Sequence, residues 1–274
     1  MDATGTALVT GASRGIGRAV AVELAARGFE VVASMRNPAA GDGLVEEAAA
    51  RGGVVRVERL DVTDGGSIVI PDGLRVLVNN AGVEAEHPAF EDTPLDLWRR
   101  MFETNVFGLV EVTRRAIPVL RANGGGVLCN VTSSSILAPV PFYAPYRSSK
   151  AAVSAISETL RAELAPFGIR VLEVMPGPID TDMLADSDTP YAAVDNPAYA
   201  AMAQRMFDGR SVGIDGMVTP TAEAARLIAD GVLDDAAPMR IGCDPMSVGM
   251  IDAWRSMSDE QMMSAMIEGM LAGN

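Results

Sequence analysis

Histidine is almost missing from this chain: His87 is the only one among 274 residues. A serine-hydrolase triad or a histidine-rich metal site therefore has no ordinary way to assemble, and no metal site is expected. Cysteine is as scarce. Cys129 and Cys243 set no disulfide framework, and Cys129 sits in an apolar run, residues 127–131, where a buried reduced thiol is the simplest reading. Basic side chains are outnumbered, 22 against 36 acidic ones, for a formal charge of −14. That balance opposes nucleic acid and anionic membranes as partners, so an anionic cofactor would depend on locally placed arginines. No apolar run approaches the ~18 residues of a membrane span, and Met1-Asp2-Ala3-Thr4-Gly5 lacks the basic and apolar regions of a secretory signal. The expected compartment is the cytoplasm. His87, alone in a polar loop, reads as a surface residue.

What is present is ordinary for a globular protein, with 49% hydrophobic and 21% charged residues. Residues 6–10 form a short apolar run that leads into Gly11-Ala12-Ser13-Arg14-Gly15-Ile16-Gly17 and an amphipathic segment through Arg27. This reads as strand, glycine turn, helix. Glycine there lets backbone approach a diphosphate and the sheet, while the helix N-terminus supplies unpaired N–H groups and partial positive charge. A second strand, residues 29–34, ends in Met35-Arg36-Asn37. Dinucleotide folds usually keep an acid at that point for the ribose 2'-hydroxyl; Met35 followed by Arg36 favours a 2'-phosphate, which Arg14 could reach from the other side. NADP is thus expected over NAD. The strand over residues 54–60 ends at Asp61-Val62, where Asp61 is a candidate adenine contact. Gly65, Gly66, Pro71 and Gly73 leave the crossover to the next strand room for barely a turn or two of helix. That strand, residues 74–78, closes with Asn79-Asn80-Ala81-Gly82, small residues that admit a cofactor to the backbone.

Thr93-Pro94 with Asp96 marks a helix start, and an apolar stripe that includes Leu97, Met101, Val106, Val110 and Val112 continues to Leu120. Asn105 is the odd residue in it; a buried amide must be hydrogen-bonded, to a water or to a neighbouring carbonyl. A strand over residues 126–132 delivers Ser133, Ser134 and Ser135 at its C-terminal end, where open α/β sheets bind ligands. The helix beginning near Tyr146 carries Tyr146-Arg147-Ser148-Ser149-Lys150. A phenol with a reference pKa near ~10 is a poor acid–base group at neutral pH, and an ammonium one helical turn away favours its phenolate. A sixth strand, residues 169–174, leads to Pro176-Gly177-Pro178-Ile179-Asp180-Thr181, whose backbone could meet a carboxamide. Residues 182–218 lack a strong period and carry methionines and aromatics; they read as a lid over an apolar ligand, as core contacts or as a subunit interface. A helix over residues 221–233, a strand over 239–242 and an amphipathic tail with a capping box, Ser258 and Gln261, complete the chain. The expected architecture is α/β: a single domain over residues 1–274, a doubly wound parallel sheet of about seven strands, a lid at about 182–218 and a helical tail at about 244–274.

TGASRGIG at residues 10–17, Asp61-Val62, NNAG at 79–82, Asn105, Ser133, YRSSK at 146–150 and PGPIDT at 176–181 resemble, in order and spacing, the motifs of the short-chain dehydrogenase/reductase family. The resemblance covers nearly the whole chain. Met35-Arg36-Asn37 with the long lid and tail looks like its NADP-preferring hydroxysteroid and retinol dehydrogenase branch, while the abbreviated crossover departs from the family pattern. The resemblance implies a Rossmann-type fold and an NADP(H)-dependent oxidoreductase that interconverts a secondary alcohol and a ketone on a fairly apolar small molecule. It implies that Tyr146 exchanges a proton with the substrate oxygen. Lys150 would depress the phenol's pKa and hold the ribose hydroxyls, Ser133 (or Ser134, if the register slips by one) would hydrogen-bond the carbonyl, and Asn105 would position a water. The cofactor would be held by Gly11, Ser13, Arg14, Gly15, Ile16, Gly17, Arg36, Asp61, Val62, Asn79, Ala81, Gly82, Tyr146, Lys150, Pro176, Gly177, Ile179 and Thr181. A homodimer or homotetramer is implied as well. The rival readings are a non-catalytic nucleotide-binding regulator of the same fold, against which the quartet Asn105, Ser133, Tyr146 and Lys150 argues, and an NAD-preferring alcohol dehydrogenase.

Overall fold

A computed structural model describes residues 1–84, 86–186, 189–214 and 216–271. Residues 187–188 and 215 of the expected lid and 272–274 of the expected tail lie outside the described residues. The apolar runs become strands β1 (Thr6–Thr10), β2 (Glu30–Met35), β3 (Val54–Arg59), β4 (Leu74–Asn79), β5 (Gly126–Val131), β6 (Ile169–Met175) and β7 (Arg240–Gly242). They form one seven-stranded sheet in the order β3-β2-β1-β4-β5-β6-β7, with every neighbouring pair parallel. A strand covered on both faces has no wet side, so it reads as a continuous apolar run rather than an alternating one. β1 and β5 are buried at every position.

Helices α1 (Gly15–Arg27), α2 (Leu44–Ala49), α3 (Leu95–Phe102), α4 (Leu109–Ala122), α5 (Ala144–Leu164), α6 (Asp182–Asp186), α7 (Ala200–Ile214), α8 (Thr221–Leu233), α9 (Pro245–Ser256) and α10 (Asp259–Leu271) surround the sheet. α1 and α8 bury Val20, Leu24, Ile228 and Val232 in one apolar cluster; α4 and α5 bury Val112, Ala116, Leu120 and Leu164 in another. The sheet divides the two layers, which makes this a single-domain, doubly wound Rossmann-type fold. Among the described residues no helix is long and apolar enough to cross a membrane.

The crossover from β3 to β4 is a single 3-10 turn, Gly65–Ser67, in which the Asp64 carboxylate accepts from the Gly66 N–H. Ile68, buried beyond it, packs in the same cluster as α4 and covers the sheet where a helix is missing. Three local details were not given by the sequence. α3 starts directly after Thr93-Pro94, as expected, but the Thr93 hydroxyl donates to the Ala89 carbonyl at 2.9 Å instead of capping the helix. α3 and α4 are joined by a π-helical turn, Glu103–Gly108, whose extra residue shifts the helix phase, so Asn105 is buried while Val110 is left exposed. Residues 182–218 contain α6 and α7. Tyr191, Tyr199, Met202 and Met206 of this segment gather with Phe142 and Tyr143 in one apolar cluster.

Candidate active site

A cleft of about 1640 Å³ opens at the C-terminal ends of the strands, beside the reversal of strand order between β1 and β4. That is where open α/β sheets leave a crevice. The turn after β1 is pressed against the end of β4. Gly11 and Gly15 adopt φ of +68° and +56°, and a Cβ on Gly11 would come within 2.8 Å of the Ala81 Cα. Asn80 fastens the two segments, donating from Nδ2 to the carbonyls of Thr10 (3.0 Å) and Gly11 (3.1 Å). The first turn of α1 has neither a side-chain cap nor an acidic residue, so its orphan N–H groups are available to an anion. This cradle of small residues and uncapped helix start fits the diphosphate of a dinucleotide. Gly11, Ser13, Arg14, Gly15 and Ile16 line it. Gly17 does not; its missing Cβ admits the Asn80 amide and the Gly11 carbonyl.

Farther along, Arg36, Asp61, Val62, Ala81 and Gly82 line the cleft. Arg36 is exposed at the end of β2. Burial pushes the Asp61 carboxyl up, but hydrogen bonds from Thr63 and the charges of Arg36 and Arg59 outweigh it and hold Asp61 below its ordinary value. Arg14 pairs with Asp182 of α6 at 3.2 Å, so the second half of the expected phosphate clamp is engaged by the segment over the cleft. Asn79 is turned away from the cleft. Side chains alternate across a strand, and its Nδ2 donates to Asn130 Oδ1 and Thr113 Oγ1, both at 2.9 Å, while Asn80 takes the lining position. At the far wall Pro176, Gly177, Ile179 and Thr181 line the cleft, and the Gly177 N–H donates to Asp244 Oδ2 at 2.7 Å.

Tyr146 lies on the first turn of α5 and Lys150 one turn later, and both face the cleft. Lys150 Nζ donates to the Val131 carbonyl at 2.9 Å and stands 5.9 Å from the centroid of the Tyr146 ring. Ser133 lies beside Tyr146, and its Oγ donates to Ser135 Oγ at 2.9 Å. Ser134 instead donates its N–H to the Pro176 carbonyl at 2.9 Å. Burial pushes the Tyr146 phenol up, the charge of Glu84 adds to the rise, and the Ser133 hydroxyl offsets part of it. Burial pushes Lys150 down to about 8, against the upward pull of Glu84. The expected depression of the phenol by the lysine is therefore not what the protein alone produces; exclusion of water is the larger effect.

Asn105 meets the second of its expected partners, a neighbouring carbonyl. Its Oδ1 accepts from the Val83 N–H (2.8 Å), and its Nδ2 donates to the Val83 carbonyl (3.0 Å) and to Ser149 Oγ (3.0 Å). The amide clamps the loop that follows β4 and does not line the cleft. His87, read from the sequence as a surface residue, is only 6% exposed. Its ring stacks on Tyr143 with centroids 3.8 Å apart and meets Tyr191 edge-on at 5.2 Å, and its Nε2 lies 3.2 Å from Glu84 Oε1. Both residues line the cleft. The one available signal was their place directly after NNAG, on a loop that must run beside the reacting groups. Methionines supply much of the outer wall, among them Met202, Met206, Met250, Met257, Met262 and Met266. Lys150 is also the only lysine in the chain.

A family model described as short chain dehydrogenase matches residues 5–192. An uncharacterized oxidoreductase, YusZ, of Bacillus subtilis is 42% identical over 204 residues, covering 70% of this chain and 72% of that protein. The 3beta-hydroxysteroid dehydrogenase 1 of Eggerthella lenta is 34% identical over 235 residues, covering 82% and 87%. Among solved structures, a short chain dehydrogenase from Burkholderia cenocepacia in complex with NADP superposes with a TM-score of 0.74 at 26% identity, over 99% of both chains.

Proposed function

Because the chain belongs to the short chain dehydrogenase family and is, as such, an NAD(P)-dependent oxidoreductase, we propose that it interconverts a secondary alcohol and a ketone on a fairly apolar small molecule, with NADP(H) preferred. The carrying observation is the convergence of Tyr146, Lys150 and Ser133 on a cleft that continues from the glycine cradle. A bound dinucleotide supplies or accepts the hydride at its nicotinamide C4. The chain handles the proton. Tyr146, kept protonated by its dry surroundings, donates to the oxygen of a ketone that also accepts from Ser133, and takes the proton back when an alcohol is oxidised. Lys150 supplies positive charge beside the phenolic oxygen when that proton has left.

Arg36 at the end of β2, where an acid would favour NAD, supports NADP, as does the NADP bound in the Burkholderia structure. The methionine-rich wall and the 34% identity to a hydroxysteroid dehydrogenase support an apolar substrate, with residues 182–218 and the helices after Cys243 acting as its lid. The family also supports a homodimer or homotetramer. Purified protein incubated with NADPH and a panel of apolar ketones is expected to consume NADPH, followed at the nicotinamide absorbance band. Tyr146→Phe is expected to lower kcat by about a hundredfold to ten-thousandfold; full turnover in that variant contradicts the assignment. Arg36→Ala is expected to weaken NADPH binding far more than NADH binding, and equal losses contradict the cofactor preference.

A further inference from the structure

A carboxylate stands in the reacting centre without a part in the hydride-transfer reading. The Glu84 side chain is 17% exposed, and a carboxylate this far removed from water needs partners that fix it. His87 is one: its Nε2 lies 3.2 Å from Glu84 Oε1, and its ring is held between Tyr143 and Tyr191. Tyr143 in turn meets Tyr146 edge-on, with centroids 6.4 Å apart. The backbone beneath Glu84 is fixed independently. Asn105 binds both the N–H and the carbonyl of Val83, and Gly82 lies so near Lys150 that a Cβ there would sit 3.4 Å from Nζ. The loop is thus held at Val83 and closely packed at Gly82.

Among the ionisable groups that line the cleft with Tyr146 and Lys150, Glu84 and His87 come from the loop after β4, Tyr143 from the start of α5 and Tyr191 from the segment over the cleft, and Tyr143 meets both Tyr146 and Tyr191 edge-on. β5 and the residues after it offer only neutral partners, the Val131 carbonyl and the Ser133 hydroxyl. Glu86, the other acid of the loop, is exposed. Glu84 is therefore the acid built into the centre. We propose that Glu84 is a positioning residue: the counter-charge that holds Tyr146 and Lys150 in their proton-bearing forms, with His87 keeping its carboxylate in place. Such a centre is set to give a proton to a carbonyl oxygen at neutral pH and to take one from an alcohol only at higher pH. The directions of the two shifts agree, since Glu84 raises the proton affinity of both groups. The consequence for turnover rests on the hydride-transfer reading, whereas the charge relation does not.

Lys150 being the chain's single lysine, protein grown on lysine labelled with carbon-13 at Cε gives one lysine signal, whose titration reports the ammonium without cofactor or substrate. Wild-type protein and Glu84→Asp are expected to share a midpoint, while in Glu84→Gln it falls by roughly one pH unit, the order of shift that loss of a nearby opposite charge produces. Glu84→Ala is a second neutral variant with the same expectation. An unmoved midpoint in a folded neutral variant overturns the proposal. In alcohol oxidation, the pH profile of kcat/KM for Glu84→Gln is expected to move to lower pH. A uniform drop at every pH marks Glu84 as structural and also overturns it. If the wild type turns over no alcohol or ketone with either dinucleotide while the Lys150 midpoint still falls in Glu84→Gln, the functional reading fails and the counter-charge stands.

Discussion

Lys150 and Tyr146 are shaped more by the water they have lost than by each other, and this has a sign that can be measured. Lys150 is pushed by burial from its ordinary 10.5 to about 8. Between those values the unfolded chain keeps a proton that the folded chain has released, so stability rises with pH across that window and the penalty is fully present below it. Tyr146 acts oppositely: its folded phenol keeps the proton above the ordinary 10.0, so stability falls once pH passes that point. In the protein without cofactor, the unfolding free energy from urea titrations is expected to rise from about pH 8 to pH 10 more steeply in wild type than in Lys150→Met. Equal slopes contradict the burial of a titrating amine. Tyr146, Lys150 and Ser133 were legible because their residue types, spacing and place after a strand all pointed one way. Glu84 and His87 were not. Whether a loop histidine is solvated depends on rings such as Tyr143 and Tyr191, which arrive from distant parts of the chain.

Among the elements, the strands were the easiest to read and the helix starts the hardest. A strand buried on both faces announces itself as an unbroken apolar run, as residues 126–131 do. A helix start is settled by which carbonyl or N–H a short polar side chain finds, and Thr93 finds the Ala89 carbonyl. Asp244 illustrates the reverse case, a cap with a second task. Its Oδ1 accepts from the Ser247 N–H at 2.8 Å at the start of α9, while its Oδ2 accepts from the Gly177 N–H at 2.7 Å on the cleft wall. One side chain thus joins a C-terminal helix to the loop after β6. Asp244→Ala is expected to cost about 2 kcal/mol, from a lost cap and an unpaired N–H. Urea unfolding checks it, and a loss under about 0.5 kcal/mol contradicts the double role.

At the scale of the whole molecule, periodicity along the chain indicated parallel strands with helices between them. It could not say which strand neighbours which, because hydrophobic patterning is the same for any order of buried strands; the motif order carried that information. The wall over the cleft was the least legible part. α6, α7, α9 and α10 present methionines to a ligand-sized space rather than to one flat partner, so their apolar residues follow no clean stripe. On the proposed reading, an acidic protein of formal charge −14 depends on a few arginines such as Arg36 to hold a phosphorylated cofactor. The most direct measurement follows the hydride itself. NADPH carrying deuterium at either C4 position is incubated with an apolar ketone that the protein reduces, and the alcohol is analysed by mass spectrometry. One of the two labelled cofactors is expected to place deuterium on the carbinol carbon, with formation of labelled product falling by at least about a hundredfold in Tyr146→Phe. An unlabelled alcohol from both, or labelled product formed as fast by Tyr146→Phe, would contradict proton-coupled hydride transfer at this site.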